Sequence, residues 1–293
     1  MSHSNGAAPC PLILSTRPFL GASALTKQAN LDCLVRFSRP ENTASVVTAA
    51  AGQGVGAIAP MNDPTLLRAL DLARASCSVQ VYPIIPNVLG YVREATDYGM
   101  VGAGIRQVRR LRIGDLLGLG IRGLANIRGV MARNFSTILS LLIEVEMAAF
   151  KKFRPPLVLL HGQVTDIAVA FGNQEALRIF ADVIRRRFGA EPGVVTNNFA
   201  ALLHALNQWR IDIEVIVAPF NPQGFLMKPT KQVCESLLRE TDRFIIADKI
   251  GTGDAESLKG AFEYLHGLEI HAAVVEITEA AAVDRLPPLQ KGN

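Results

Sequence analysis

The chain has 293 residues, of which 49% are hydrophobic and 19% are charged, and its formal net charge is +4 at pH 7. This composition excludes a disordered chain and is typical of a fold that buries much apolar surface, such as a sheet covered on both faces. The four cysteines (Cys10, Cys33, Cys77 and Cys234) form no C-x-x-C pair, which predicts free thiols and no metal site. The start lacks an apolar signal region and no uncharged apolar run reaches about 18 residues, so we expect a cytoplasmic protein.

Eight short apolar runs recur along the chain and are typical of buried parallel strands. They are LILST (12–16), GVGAIAP (54–60), VQVYPII (79–85), PLVLLHG (156–162), GVVTNN (193–198), IEVIVAP (213–219), FIIADKI (244–250) and HAAVVEI (271–277). Helical patterns separate these runs, with Asp63 and Asn173 placed as helix caps. Eight alternating units predict an α/β fold, a (β/α)8 TIM-type barrel, as a single domain over 1–293. An open doubly wound sheet is the structural alternative.

A basic segment separates the third predicted strand from the helix that follows it. Between Gly104 and Arg133 lie seven arginines and one acid, Asp115. The whole connection is far longer than a usual βα loop of about 2–6 residues. We therefore expect 98–134 to be a basic, Arg/Gly-rich helical insertion between strand 3 and helix 3, covering the barrel mouth as a lid. The alternatives are an interface in a homo-oligomer and a contact with a membrane surface, nucleic acid being disfavoured.

The insertion also contains GLGIRG (118–123), which matches the G-x-G-x-x-G pattern of dinucleotide sites. That pattern binds a dinucleotide when a strand precedes it and a helix follows it. The preceding RRLRIGDLL is charged and does not resemble a buried strand. We therefore assign no dinucleotide to this motif.

Polar residues follow every predicted strand, at the end of a barrel where substrates bind. The predicted substrate-binding residues are Arg17, Asn62, Asn87, Asn197, Asn221, Gly251 and Gly253. The two glycines belong to GTGD (251–254), which we interpret as a phosphate-binding loop at a helix N-terminus.

Three further residues are predicted to be catalytic: Lys249, His161 and Glu276. A lysine in an apolar strand is costly unless it is paired or neutral, and a neutral lysine is a nucleophile that forms Schiff bases. His161 is the expected proton-transfer group, and Glu276 the base or tuning carboxylate. Because neighbours on a strand face opposite sides, we expect only one of Asp248 and Lys249 to face the barrel axis.

Two resemblances accompany these assignments. PLVLLHG and GVVTNNF are similar to patches of the aldo-keto reductase barrels, which implies that His161 is the active-site histidine and that Asn197 or Asn198 binds an amide. The tyrosine and lysine of that family have no counterparts at the ends of strands 2 and 3. The segment KIGTGDAESLKGAFEYL resembles the lysine-then-glycine loops of Schiff-base aldolase barrels.

These observations leave three functional interpretations. The first is an aldolase-type lyase that acts on a small anionic carbonyl metabolite through Lys249 without a cofactor. The second is an aldo-keto-reductase-like oxidoreductase that uses NADPH. The third is a non-catalytic barrel for binding or assembly, in which the strand-end polar residues pair with each other and leave no cavity.

Overall fold

The protein is built around one parallel sheet. The computed structural model describes residues 12–23, 26–87, 135–251 and 255–278. Within these ranges nine strands lie in the order β3-β2-β1-β9-β8-β7-β6-β5-β4. They are β1 (Leu12–Ser15), β2 (Ala57–Ala59), β3 (Gln80–Val81), β4 (Ile84–Ile85), β5 (Leu157–Leu160), β6 (Glu191–Val195), β7 (Val215–Pro219), β8 (Phe244–Asp248) and β9 (Ala272–Val275).

Helices alternate with the strands along the described chain. They are α1 (Lys27–Arg36), α2 (Pro40–Gly52), α3 (Pro64–Ala73), α4 (Phe135–Ala148), α5 (Gly162–Ala170), α6 (Gln174–Val183), α7 (Phe199–Gln208), α8 (Lys231–Glu240) and α9 (Ala255–His266). The two predicted caps are confirmed: Asp63 accepts from the amides of the first turn of α3, and Asn173 accepts from Ala176 N–H in α6. None of the helices in these ranges has the length and apolarity needed to cross a membrane.

The two outermost strands of the sheet are neighbours in sequence. Only Tyr82 and Pro83 separate β3 from β4, and proline has no N–H to donate to a ladder. Tyr82 N–H donates to Ile58 on one side at 2.9 Å, and Leu159 N–H donates to Pro83 on the other at 2.8 Å. The same short run therefore pairs with both ends of the sheet, which curls into a barrel-like shape. The predicted parallel α/β sheet is confirmed.

The strands are apolar on both faces because both faces are covered. Ile13 of β1 lies inside the curl, whereas Leu12 and Leu14 pack outward into a cluster with the helices. The inner cluster consists of Ile13, Ala57, Ala59, Tyr82, Leu157, Leu159, Val215, Val217, Ile246, Ala272 and Val274. This two-sided burial explains why the strands read as continuous apolar runs in the sequence.

Gly193 of β6 allows close packing inside the curl. A Cβ atom there would lie 2.7 Å from Leu159 Cδ2 and 3.1 Å from Val215 Cβ. Gly193→Ala should lower the free energy of unfolding by about 1–3 kcal/mol because it overpacks the core, which denaturant titration measures. The control is Gly260→Ala in α9, where an added Cβ meets no atom within 4 Å. Equal stability of Gly193→Ala and wild type would contradict this packing.

The predicted insertion at 98–134, with its GLGIRG motif, lies outside the described residues. The same holds for 252–254 of the predicted phosphate-binding loop. The lid, the homo-oligomer interface and the membrane-surface contact that were expected of the insertion stay predictions.

Candidate functional site

A cavity of about 210 Å³ lies at the carboxyl ends of the strands, above the inner apolar cluster. Its floor and walls are largely apolar: Ile13, Ala59, Met61, Ile84, Leu159, Val195, Val217 and Val274. Its remaining lining is mostly polar: Ser15, Thr16, Arg17, His161, Gly162, Gln163, Asn197, Asp248 and Lys249. The cavity thus combines an apolar base with convergent polar groups, as small-molecule sites commonly do.

Arg17 is held between two carboxylates from neighbouring strands. It follows β1, Asp248 ends β8 and Glu276 follows β9, and β9 pairs with both of the other strands. The terminal nitrogens Nη1 and Nη2 of Arg17 donate to the two carboxylate oxygens of Asp248, each at 2.6 Å. Its Nε donates to Glu276 Oε1, also at 2.6 Å. Parallel strands thus bring together three residues that are far apart in the chain.

This ion group shifts the pKa values of its members. Burial alone would raise the pKa of Asp248, but Arg17 and Lys249 outweigh burial and hold it well below its ordinary value. Burial raises the pKa of Glu276, although Arg17 opposes that effect. The pKa of Arg17 is raised, because the two carboxylates outweigh the opposing effect of burial. Asp248 and Arg17 are therefore both charged at neutral pH.

Lys249 reaches the same cavity as Asp248. Its Nζ donates to Asn197 Oδ1 at 2.6 Å and lies 3.6 Å from Asp248 Oδ2. The prediction that only one of the two residues faces the cavity is wrong, because it assumed an extended backbone. Lys249 has a φ of 51°, in the left-handed region that non-glycine residues rarely adopt. Strand alternation ends at Asp248, and the lysine is turned toward the cavity.

His161 supplies a neutral imidazole at the cavity wall. It follows β5 and caps α5, and its Nδ1 accepts a hydrogen bond from Gln163 N–H at 3.2 Å. The proton of the neutral ring is therefore on Nε2. Burial lowers the pKa of His161 and the charge of Lys249 lowers it further, while Asp166 opposes them. The ring can donate one hydrogen bond from Nε2.

Asp166 positions Asn197, a role that the sequence did not reveal. Its Oδ2 accepts from Asn197 N–H at 3.1 Å, and its Oδ1 accepts from Thr196 Oγ1 at 2.5 Å. Thr196 Oγ1 in turn accepts from Asn198 N–H at 2.8 Å. Asp166 thus fixes the turn after β6, and Asn197 at that turn holds Lys249. The signal available in the sequence was the position of Asp166 about one turn into α5, the helix that His161 caps.

The structure separates the other predicted residues from this group. Asn87 Nδ2 donates to Asn62 O at 2.9 Å, which joins two loops. Asn221 accepts from Phe225 N–H and donates to Phe225 O, which closes its own loop. Gly251 packs beside Ser257, where an added Cβ would lie 2.5 Å from the hydroxyl. None of these four predicted residues lines the cavity, and Gly253 lies outside the described residues.

The described residues contain no recognisable metal site. Within the described ranges, no three His, Cys, Asp or Glu residues are grouped so that they could hold a metal ion. Amide side chains at the cavity, Asn197 and Gln163, are instead suited to hydrogen bonding with an organic ligand.

Comparison with known proteins relates the chain to one kind of fold. No protein-family model matches it, and neither does any curated protein. Two solved structures, each described as a "putative aldo-keto reductase" from Pseudomonas aeruginosa, are similar to it, with TM-scores of 0.55 and 0.56. Each is 14% identical, over 94% of this chain and 88% of the other. The resemblance to aldo-keto-reductase-like barrels that the LLHG patch indicated is therefore confirmed at the level of fold.

The comparison also does not support the emphasis on a lyase. The sequence interpretation emphasised a lyase of the aldolase type, whereas both structural neighbours are described as a "putative aldo-keto reductase", which is a kind of oxidoreductase. The emphasis on lyase chemistry is wrong. It came from the lysine and glycines of KIGTGDAESLKGAFEYL, a short pattern that does not distinguish one kind of barrel from another.

Proposed function

We propose that the protein is an NADPH-dependent oxidoreductase that reduces a carbonyl group in the 210 Å³ cavity. The observation that carries the proposal is the meeting of Lys249, His161 and Asn197 above an apolar floor. Two groups that can donate hydrogen bonds, an ammonium and a neutral imidazole, are available there for one carbonyl oxygen. The similar fold of the two structural neighbours supports the same class of reaction.

The proposal includes an eight-stranded (β/α)8 barrel in which β3 and β4 are halves of one strand. Two ladders support it. Tyr82 N–H donates to Ile58 at 2.9 Å and Ile84 N–H to Pro60 at 2.8 Å on the β2 side. On the other side, β4 pairs with β5 from Ile84 onward. An active site at the carboxyl ends of the strands is the usual arrangement in such barrels.

In this proposal the cavity takes the nicotinamide end of the cofactor and not the whole dinucleotide. Its volume lies below the roughly 300–1,000 Å³ of sites that enclose a whole ligand. The amide side chains of Asn197 and Gln163 would hold the carboxamide, and Val195 and Val217 offer an apolar wall. When bound, a reduced nicotinamide supplies the hydride that the carbonyl carbon accepts.

Two residues of the chain would then bind and protonate the carbonyl oxygen of the substrate. His161 donates a hydrogen bond from Nε2 and polarises the C=O bond. The Lys249 ammonium donates a proton to the oxygen as negative charge develops there, which completes the alcohol. Asn197 orients Lys249 through the 2.6 Å hydrogen bond, and Asp248 Oδ2 lies 3.6 Å from the Lys249 Nζ. Lysine thus takes the place of the tyrosine that the resemblance calls for.

Removal of the His161 side chain tests this arrangement. His161→Ala should lower kcat/KM for NADPH-dependent reduction by about 100-fold, a usual cost of losing one donor to a developing oxyanion. The measurement is the loss of absorbance of reduced nicotinamide with a panel of aldehydes and ketones. His161→Gln keeps an amide N–H and should retain more activity. His204→Ala, at an exposed site in α7, is the matched control.

The result would separate this proposal from the non-catalytic alternative. That alternative expected paired polar residues and no cavity. Arg17, Asp248 and Glu276 are indeed paired, but a cavity remains beside them. Wild-type protein that neither binds NADPH, as measured by quenching of nicotinamide fluorescence, nor consumes it with any carbonyl compound would refute the oxidoreductase proposal.

A further inference from the structure

We propose that the cavity selects carbonyl substrates without a net negative charge. The inference rests on the reductase function proposed above and specifies its substrate class. It differs from the sequence interpretation, which expected Arg17 to bind an anionic metabolite.

The fork of Arg17 that would hold a substrate carboxylate is already occupied. Asp248 takes both terminal nitrogens at 2.6 Å, in the bidentate arrangement that arginine forms with carboxylates. Glu276 takes Nε at the same distance. Three of the five N–H donors of Arg17 are therefore used. They include the two terminal N–H groups that would otherwise bind the carboxylate of a substrate.

The charge around the cavity is not positive. Arg17, Lys249 and Asp248 line the cavity, with the neutral ring of His161. Two further carboxylates lie directly behind this lining, Glu276 on Arg17 and Asp166 on the Asn197 N–H, so two cations face three carboxylates. Asp248 is only 2% exposed, so water screens it poorly. The field of these groups does not favour a carboxylate or a phosphate.

A substrate carboxylate that binds Arg17 would have to displace Asp248 or Glu276, and one that binds Lys249 would lie beside Asp248, which is 3.6 Å from Nζ. The displaced carboxylate would stay buried without its partner, which is strongly unfavourable. A carbonyl oxygen requires only hydrogen-bond donors, which Lys249 and His161 provide. The apolar floor, with Leu159, Val217 and Val274, suits a substituent without charge. The geometry therefore favours a small aldehyde or ketone whose other end is apolar.

A matched pair of aldehydes tests the selectivity. 4-Nitrobenzaldehyde and 4-formylbenzoate have nearly the same shape, but only the second carries a negative charge. We expect kcat/KM with NADPH to be at least about tenfold higher for the nitro compound, the effect of a close like charge in a partly solvated site. An equal or higher value for the benzoate would overturn the proposal.

Glu276→Gln separates charge from intrinsic reactivity. It removes one negative charge from the group around Arg17 while keeping the size of the side chain. Relative to wild type, kcat/KM for 4-formylbenzoate should rise by about tenfold against 4-nitrobenzaldehyde, because one anionic charge is gone. The comparison of ratios cancels the different reactivities of the two aldehydes. Glu263→Gln, at an exposed position in α9, should leave the ratio unchanged. No change in the Glu276→Gln ratio would also overturn the proposal.

A binding measurement distinguishes failure of this inference from failure of the proposed reaction. NMR titration of each aldehyde against the full chain, without NADPH, gives two dissociation constants. Tighter binding of 4-nitrobenzaldehyde without any NADPH consumption would refute the reductase function and support the selectivity. Equal binding, tighter binding of the benzoate, or no binding of either compound would refute the selectivity itself.

Discussion

Replacement of Lys249 by methionine should lower kcat/KM for NADPH-dependent carbonyl reduction by about 10²–10⁴-fold, the usual contribution of a positioned acid. Methionine keeps much of the length of the side chain but has no proton to donate. The loss should appear mainly in kcat, because an acid acts on the charge that develops in the transition state. Steady-state rates of NADPH consumption with an aldehyde measure the change.

Two controls make this result specific. Lys259→Met, at an exposed site in α9, makes the same chemical change away from the cavity and should retain full activity. Lysine and methionine are strained alike at position 249, where φ is 51°, so we expect the substitution to leave the fold intact. Thermal denaturation of Lys249→Met checks this. Full activity of a folded Lys249→Met protein would mean that another group donates the proton.

The architecture was largely predictable because local signals agreed with the fold. LVLL at 157–160 and FIIAD at 244–248 are β-rich runs bounded by helices, and both became strands of the parallel sheet. Asp63 before Pro64 predicted a helix start that the structure contains. The division of the run at 79–85 was not predicted, although Pro83 within it was a visible reason for an interrupted ladder.

Only those residues of the candidate site that directly follow a strand could be predicted from the sequence. His161, Asn197 and Lys249 all follow buried strands, and parallel strands bring such positions to one edge of the sheet. The partners of Arg17 were not predictable, because Asp248 and Glu276 lie 231 and 259 residues away along the chain. The side chain of Lys249 points into the cavity because the backbone at this residue is left-handed, and no local sequence pattern predicts that conformation.

The ion group around Arg17 should also be a major source of stability. Asp248→Asn keeps the size of the side chain but removes the charge that holds the Arg17 fork. The side chain of Asp248 is 3% exposed and that of Arg17 is 23% exposed, so water only partly replaces the lost partner. Loss of one partner of a buried pair costs about 3–5 kcal/mol. We expect a value near 3 kcal/mol, because Glu276 still contacts Arg17, and Tm should fall by about 6–12 °C.

The pH dependence of this loss distinguishes a charge effect from a packing effect. The folded-state pKa of Asp248 lies below its value in the unfolded chain, about 3.9. Its ionised form therefore stabilises the fold fully above that pH, and the stabilisation is lost as pH falls through the folded pKa. The difference in unfolding free energy between wild type and Asp248→Asn should be full at about pH 7 and smaller at about pH 3.

Asp182→Asn is the control, because Asp182 forms a solvent-exposed pair with Arg186, with 3.6 Å between the charged atoms. Loss of that pair should cost less than about 1 kcal/mol. A difference that stays constant across this pH range would mean that Asp248 stabilises the fold by its shape and not by its charge.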